Sequence, residues 1–162
     1  MHIHAYLWTG PKAHFDEDAL RRPPYPDPPP PPAGEDDKDG LRLAARYRQV
    51  VAEFPVTGLP PIETAHWLMK PSKLIRGTWK DPKPAAEWLG LQLAEYAPRF
   101  ASEQDRDTTR LAVHVAAAAD RLGWGGDVSL GHYLNGQSYL SLALVTCTPN
   151  NAAPDTLCPE RR

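Results

Sequence analysis

The sequence predicts an α+β fold: a three-stranded antiparallel sheet, built from an N-terminal strand and a C-terminal β-hairpin, packed against three or four helices. Three observations carry this expectation. Residues 2–9 alternate as a strand does, Asn135-Gly136 separates two strand-like runs, and the segments between repeat apolar residues at helical spacing.

The first strand places Ile3, Ala5 and Leu7 on one face and His2, His4, Tyr6 and Trp8 on the other, because side chains alternate across a strand. Gly10-Pro11 ends it. Residues 10–40 then form a proline-rich, acidic surface loop. Of the 19 prolines in the chain, eight lie between Pro23 and Pro32. Proline fixes φ and lacks a donor, so this run is expected as extended polyproline II. An aromatic-lined groove is a conceivable partner for it, but R-x-x-P-x-x-P is not met, since Arg21 and Pro24 are followed by Asp27. A spacer is the simpler reading.

From Gly40, Leu43, Tyr47, Val50, Val51 and Phe54 repeat at helical spacing, and Pro55 stops the pattern. A short helix is expected over Pro61–Lys70. The next starts after Asp81-Pro82, with Ala85, Leu89, Leu93 and Tyr96 on one face and Pro98 at its end. A further helix runs from Asp105 to Leu122 on a stripe of Leu111, Val115, Ala118 and Leu122, with Gly123 as terminator. The hairpin follows. A two-residue turn at Asn135-Gly136 pairs Leu134 with Gln137, Tyr133 with Ser138 and His132 with Tyr139. Residues 1–148 are read as one domain and 149–162 as a flexible tail.

The chain has 162 residues, 41% of them apolar and 23% charged, which suits a single globular domain. Its formal net charge of −2 argues against a protein that coats nucleic acid by bulk electrostatics. No basic leader precedes an apolar core, and no apolar stretch approaches the ~20 residues that span a bilayer. A cytoplasmic protein with no membrane association is expected, and the Ala-, Arg- and Pro-rich usage points to a bacterial source. Two cysteines, Cys147 and Cys158, are too few for a disulfide scaffold, and read as reduced thiols with Cys147 packed in a strand.

Three groups of residues are candidates for function. His2 and His4 lie on one strand face about 6.6 Å apart, close enough to share a metal, and Glu63 with His66 at i and i+3 are candidates to complete the site. His132 beside Tyr139 is a candidate further ligand or the acid–base pair of a small hydrolase-like enzyme. The segment Lys70–Lys83 holds five bases, Lys70, Lys73, Arg76, Lys80 and Lys83, against Asp81 alone, with Trp79 among them. Bases interleaved with an aromatic suit phosphate contact with base stacking, or an acidic protein surface. The leading expectation is an accessory or regulatory protein that binds nucleic acid or an acidic partner through that segment. The alternatives are the hydrolase and a structural interaction domain. No cofactor and no oligomeric state follows from the sequence.

Overall fold

In the computed structural model, which describes residues 1–162, four antiparallel strands form one sheet in the order β2-β1-β4-β3. These are β1 (His2–Pro11), β2 (Gly77–Trp79), β3 (Val128–Leu134) and β4 (Ser138–Cys147). The α+β class and the antiparallel sheet are as expected, with a fourth strand added. β2 is only Gly-Thr-Trp, too short for alternation to reveal, and its strand character comes from pairing with Ile3–Ala5 of β1.

The long helices are α2 (Lys38–Glu53), α3 (Pro82–Tyr96) and α4 (Thr108–Gly123), with a single turn α1 (Lys12–Phe15) after β1. The Asp37 side chain accepts from Gly40 N to cap α2, and Asp107 accepts from Arg110 N to cap α4. Ala85, Leu89 and Leu93 of α3 and Leu111, Ala118 and Leu122 of α4 bury against one sheet face. That face carries Ile3, Ala5, Val128, Leu134, Leu140, Leu142 and Leu144. At ~1.5–3 kcal/mol for each large apolar side chain removed from water, this cluster is the main source of stability. On α2 only Val50 is buried, packing with Phe54 just past its end and with Leu20 and Leu59, while Leu43 and Val51 remain exposed.

The opposite sheet face, which carries His2, His4, Tyr6 and Trp8, is covered too. Ile3, His4, Ala5 and Tyr6 are buried in succession, as is every residue from Leu140 to Cys147. The second layer is the 3-10 turn Thr64–Met69, standing where a short helix was expected. Its Trp67 stacks on Tyr6 with ring centroids 4.5 Å apart, and Leu68 joins the same cluster. Residues 149–162, expected as a flexible tail, contribute buried Asn150, Cys158 and Pro159 to this side. Residues 22–37 contain neither helix nor strand.

The hairpin register differs from the expected one by a residue. Leu134 faces Ser138, Tyr133 faces Tyr139 and His132 faces Leu140. The turn has three residues, Asn135-Gly136-Gln137, with Gly136 at φ 77° and Gln137 at φ 60°. Gln137 adopts this left-handed conformation while its carbonyl accepts from Lys12 N at 2.9 Å, so β1's exit holds the longer turn in place. A one-residue slip moves side chains to the other face. His132 therefore turns to the helices, 7% exposed, stacked on Phe100 and 3.3 Å from Asp105. Tyr139 lies on the far face against Phe15 and Tyr133. The proposed His132–Tyr139 acid–base pair does not form.

Candidate metal centre

The buried face of β1 presents His2 and His4, two residues apart and on one side, as the alternation requires. Their ring centroids are 6.0 Å apart. The antiparallel register sets His2 opposite Cys147, the last residue of β4, and His4 opposite Thr78 of β2. The tail then returns over this end of the sheet and inserts Cys158, 3% exposed. Four donor atoms, one each from His2, His4, Cys147 and Cys158, lie within 4.8 Å of one another.

The separations bracket those of a coordination shell. His4 Nε2 is 3.2 Å from Cys147 Sγ and 3.3 Å from Cys158 Sγ, and His2 Nδ1 is 3.9 Å from Cys158 Sγ. Tetrahedral zinc, with Zn–S about 2.3 Å and Zn–N about 2.0–2.1 Å, separates its ligands by roughly 3.3–3.8 Å. The pocket needs only small side-chain adjustments to reach that geometry. Two imidazoles and two thiols form a donor set suited to zinc.

The surroundings prepare the ligands unequally. Burial lowers the His4 pKa, against the opposing pull of the Glu160 carboxylate, and so favours the neutral imidazole that a metal requires. Burial pushes the Cys147 thiol up to about 11, with a partial offset from the Thr148 hydroxyl that donates to its sulfur at 3.6 Å. Its thiolate is therefore disfavoured until a cation is present to stabilise it. His4 Nδ1 lies 2.9 Å from Thr78 Oγ1, a contact that orients the ring edge-on to the sulfurs.

The tail that delivers Cys158 has its own anchor. Asn150, fully buried, donates through Nδ2 to both Asp127 oxygens and to Thr146 O. Its Oδ1 accepts from Ala152 N and Ala153 N. Asp127 also accepts from Thr146 N at 2.8 Å. Residues 150–153 are thus held to β4 without the cysteines.

The expected ligands divide. His2 and His4 are in the cluster. Glu63 and His66 are not: they face each other at 3.4 Å on the outer side of the 3-10 turn, because Trp67 and Leu68 occupy its inner side. The cysteines that complete the set stand 143 and 154 residues from His4, so no local spacing reveals them. The available signal was compositional, two cysteines alongside an H-x-H strand face.

The basic segment also divides. Lys70 is 1% exposed, with Nζ donating to Phe54 O at 2.6 Å and lying 4.0 Å from the Phe54 ring centroid. It fastens the C-terminus of α2 and cannot belong to a contact surface. Trp79 is half-buried against Trp88, with centroids 6.0 Å apart. Lys73, Arg76, Lys80 and Lys83 are exposed, and none forms a salt bridge. No helix is long and apolar enough to cross a membrane. Comparison with protein families, characterised proteins and solved structures finds no match to this chain.

Proposed function

We propose that this chain is a zinc-binding protein in which His2, His4, Cys147 and Cys158 hold one structural Zn(II). The observation that carries the reading is the convergence of four soft donor atoms within 4.8 Å, three of their residues buried. Four protein ligands leave no open position, the pattern of a structural site. The ion would join β1, the end of β4 and the segment around Cys158, closing the second layer over Tyr6 and Trp67. Two neighbouring cysteines persist as free thiols most readily in a reducing compartment, which accords with the cytoplasmic location expected from the sequence.

The test is metal content and spectroscopy on protein purified under reducing conditions. One zinc per chain is expected, and Co(II) substitution should give intense d–d bands of a four-coordinate site with sulfur-to-cobalt charge transfer. Cys158→Ser should remove the charge-transfer contribution of one thiolate and weaken retention. Protein that remains metal-free after incubation with excess zinc would overturn the reading.

A second reading concerns what the protein contacts. Lys73, Arg76, Lys80 and Lys83 are four exposed cations with no carboxylate partner, along the edge strand β2 and its flanks. An acidic protein partner suits them better than a nucleic acid, because Trp79 is half-buried and tilted against Trp88, which reduces the ring face open to base stacking. Changing Lys73, Arg76 and Lys80 together to Ala should weaken binding of an acidic peptide and leave zinc content unchanged. Preferential binding of single-stranded DNA at equal ionic strength would reverse the choice of partner.

A further inference from the structure

We infer that Thr78 and Glu160 are positioning residues of the metal centre, which hold His4 in its metal-binding tautomer and couple metal binding to docking of the tail. The inference rests on the zinc reading above and follows from counting protons along three side chains. The Thr78 hydroxyl donates to Glu160 Oε1 at 2.9 Å. An ionised carboxylate has no proton to offer, so the direction of that bond is set. A hydroxyl has one proton, so Thr78 Oγ1 meets His4 Nδ1, 2.9 Å away, as an acceptor. The Nδ1 nitrogen must then carry the imidazole proton. Nε2 is left with a bare lone pair, aimed at Cys147 and Cys158 at 3.2 and 3.3 Å.

Removing either outer residue changes this outcome. Without Glu160, the Thr78 hydroxyl is free to donate to Nδ1, which stabilises the opposite tautomer with a proton on Nε2. That proton stands where the metal must bind. Without the Thr78 hydroxyl, the buried Nδ1–H loses its acceptor. Outer partners of a ligating histidine typically contribute roughly 10- to 100-fold in metal affinity.

The chain supplies these parts economically. Cys158 and Glu160 are two residues apart in the tail, so one docking event brings a ligand and the end of the relay together. Thr78 comes from β2, whose pairing with β1 places it opposite His4. The nearer part of the tail is fixed separately through Asn150. Metal occupancy is therefore expected to govern residues 154–162 and to leave 148–153 in place.

The experiment combines zinc affinity, by competition with a chromophoric chelator, with imidazole ¹⁵N NMR of metal-free protein. Thr78→Val and Glu160→Ala should each weaken zinc by roughly 10- to 100-fold. Thr78→Ser should restore affinity to within a few-fold of wild type. In wild type the ¹⁵N shifts should report a protonated Nδ1 on His4. Glu160→Ala should populate the Nε2-protonated tautomer, a change that a merely structural role would not produce. Unchanged affinity in both variants, or an Nε2-protonated His4 in wild type, would overturn the inference while leaving the zinc site standing. Failure of wild-type protein to bind zinc would instead overturn the reading beneath it.

Discussion

The buried lysine gives the sharpest thermodynamic prediction. Lys70 is almost wholly removed from solvent, its ammonium bonded only to Phe54 O and set over the Phe54 ring, with no carboxylate in an ion pair. Desolvation penalises the charged form and lowers its pKa from 10.5 to about 8. Between pH 8 and 10.5 the unfolded chain therefore holds this proton and the folded chain does not. Stability must rise with pH across that window, because the unfolded state binds more protons there. Below about pH 8 the ammonium is charged in both states and the full penalty persists. At about 1.4 kcal/mol per pKa unit, the gap between 10.5 and about 8 sets a ceiling of about 3 kcal/mol. Cys147 works in the opposite direction, since its raised pKa makes metal-free protein lose stability as pH rises from 9 towards 11. The assay is accordingly a difference: urea midpoints of zinc-loaded wild type and Lys70→Met across the alkaline range. The wild type should gain on the variant as pH rises from 8 to 10.5. Parallel curves for the two proteins would refute the assignment of an ammonium held at a penalty.

Three further predictions follow from particular contacts. Gly136→Val should cost about 1–2 kcal/mol. The position has φ 77° and open space around an added Cβ, so the backbone alone sets the cost. Gly136→Asn should cost less, measured by the same denaturant titration. Asn150→Ala removes donors to Asp127 and Thr146 and an acceptor for Ala152 N and Ala153 N. It should destabilise zinc-loaded protein by about 2–3 kcal/mol. A loss below about 0.5 kcal/mol would show that residues 150–153 are held by other contacts. Replacing residues 23–37 with a short Gly/Ser linker should move the thermal midpoint by less than about 10 °C, since roughly 2–4 °C corresponds to 1 kcal/mol at this size.

How much of this was legible in the sequence differs by element. The cores of α3 and α4 were, because Leu89, Leu93, Leu111 and Leu122 repeat at a period that only a helix serves. The hairpin was legible in place but not in register. Asn-Gly favours a two-residue turn, whereas the bond from Lys12 N to Gln137 O, a tertiary contact, selects three. The second layer was hidden because Trp67 and Leu68 lie in a 3-10 turn without periodicity. Lys70 reads as a surface base in any local window, and only the packing of α2 against the turn buries it. The metal centre was half visible: His2 and His4 share a strand face by simple alternation. Cys147 and Cys158 join them only once β4 pairs with β1 and the tail folds back, which no spacing rule encodes.

Zinc K-edge X-ray absorption on the purified protein reads the four-ligand site itself. The expected first shell is two sulfurs at about 2.3 Å and two nitrogens at about 2.0–2.1 Å, with the multiple-scattering signature of imidazole. Cys158→Ser should reduce the sulfur count by one. A shell of light oxygen and nitrogen atoms only, with no sulfur scatterer, would rule out ligation by Cys147 and Cys158.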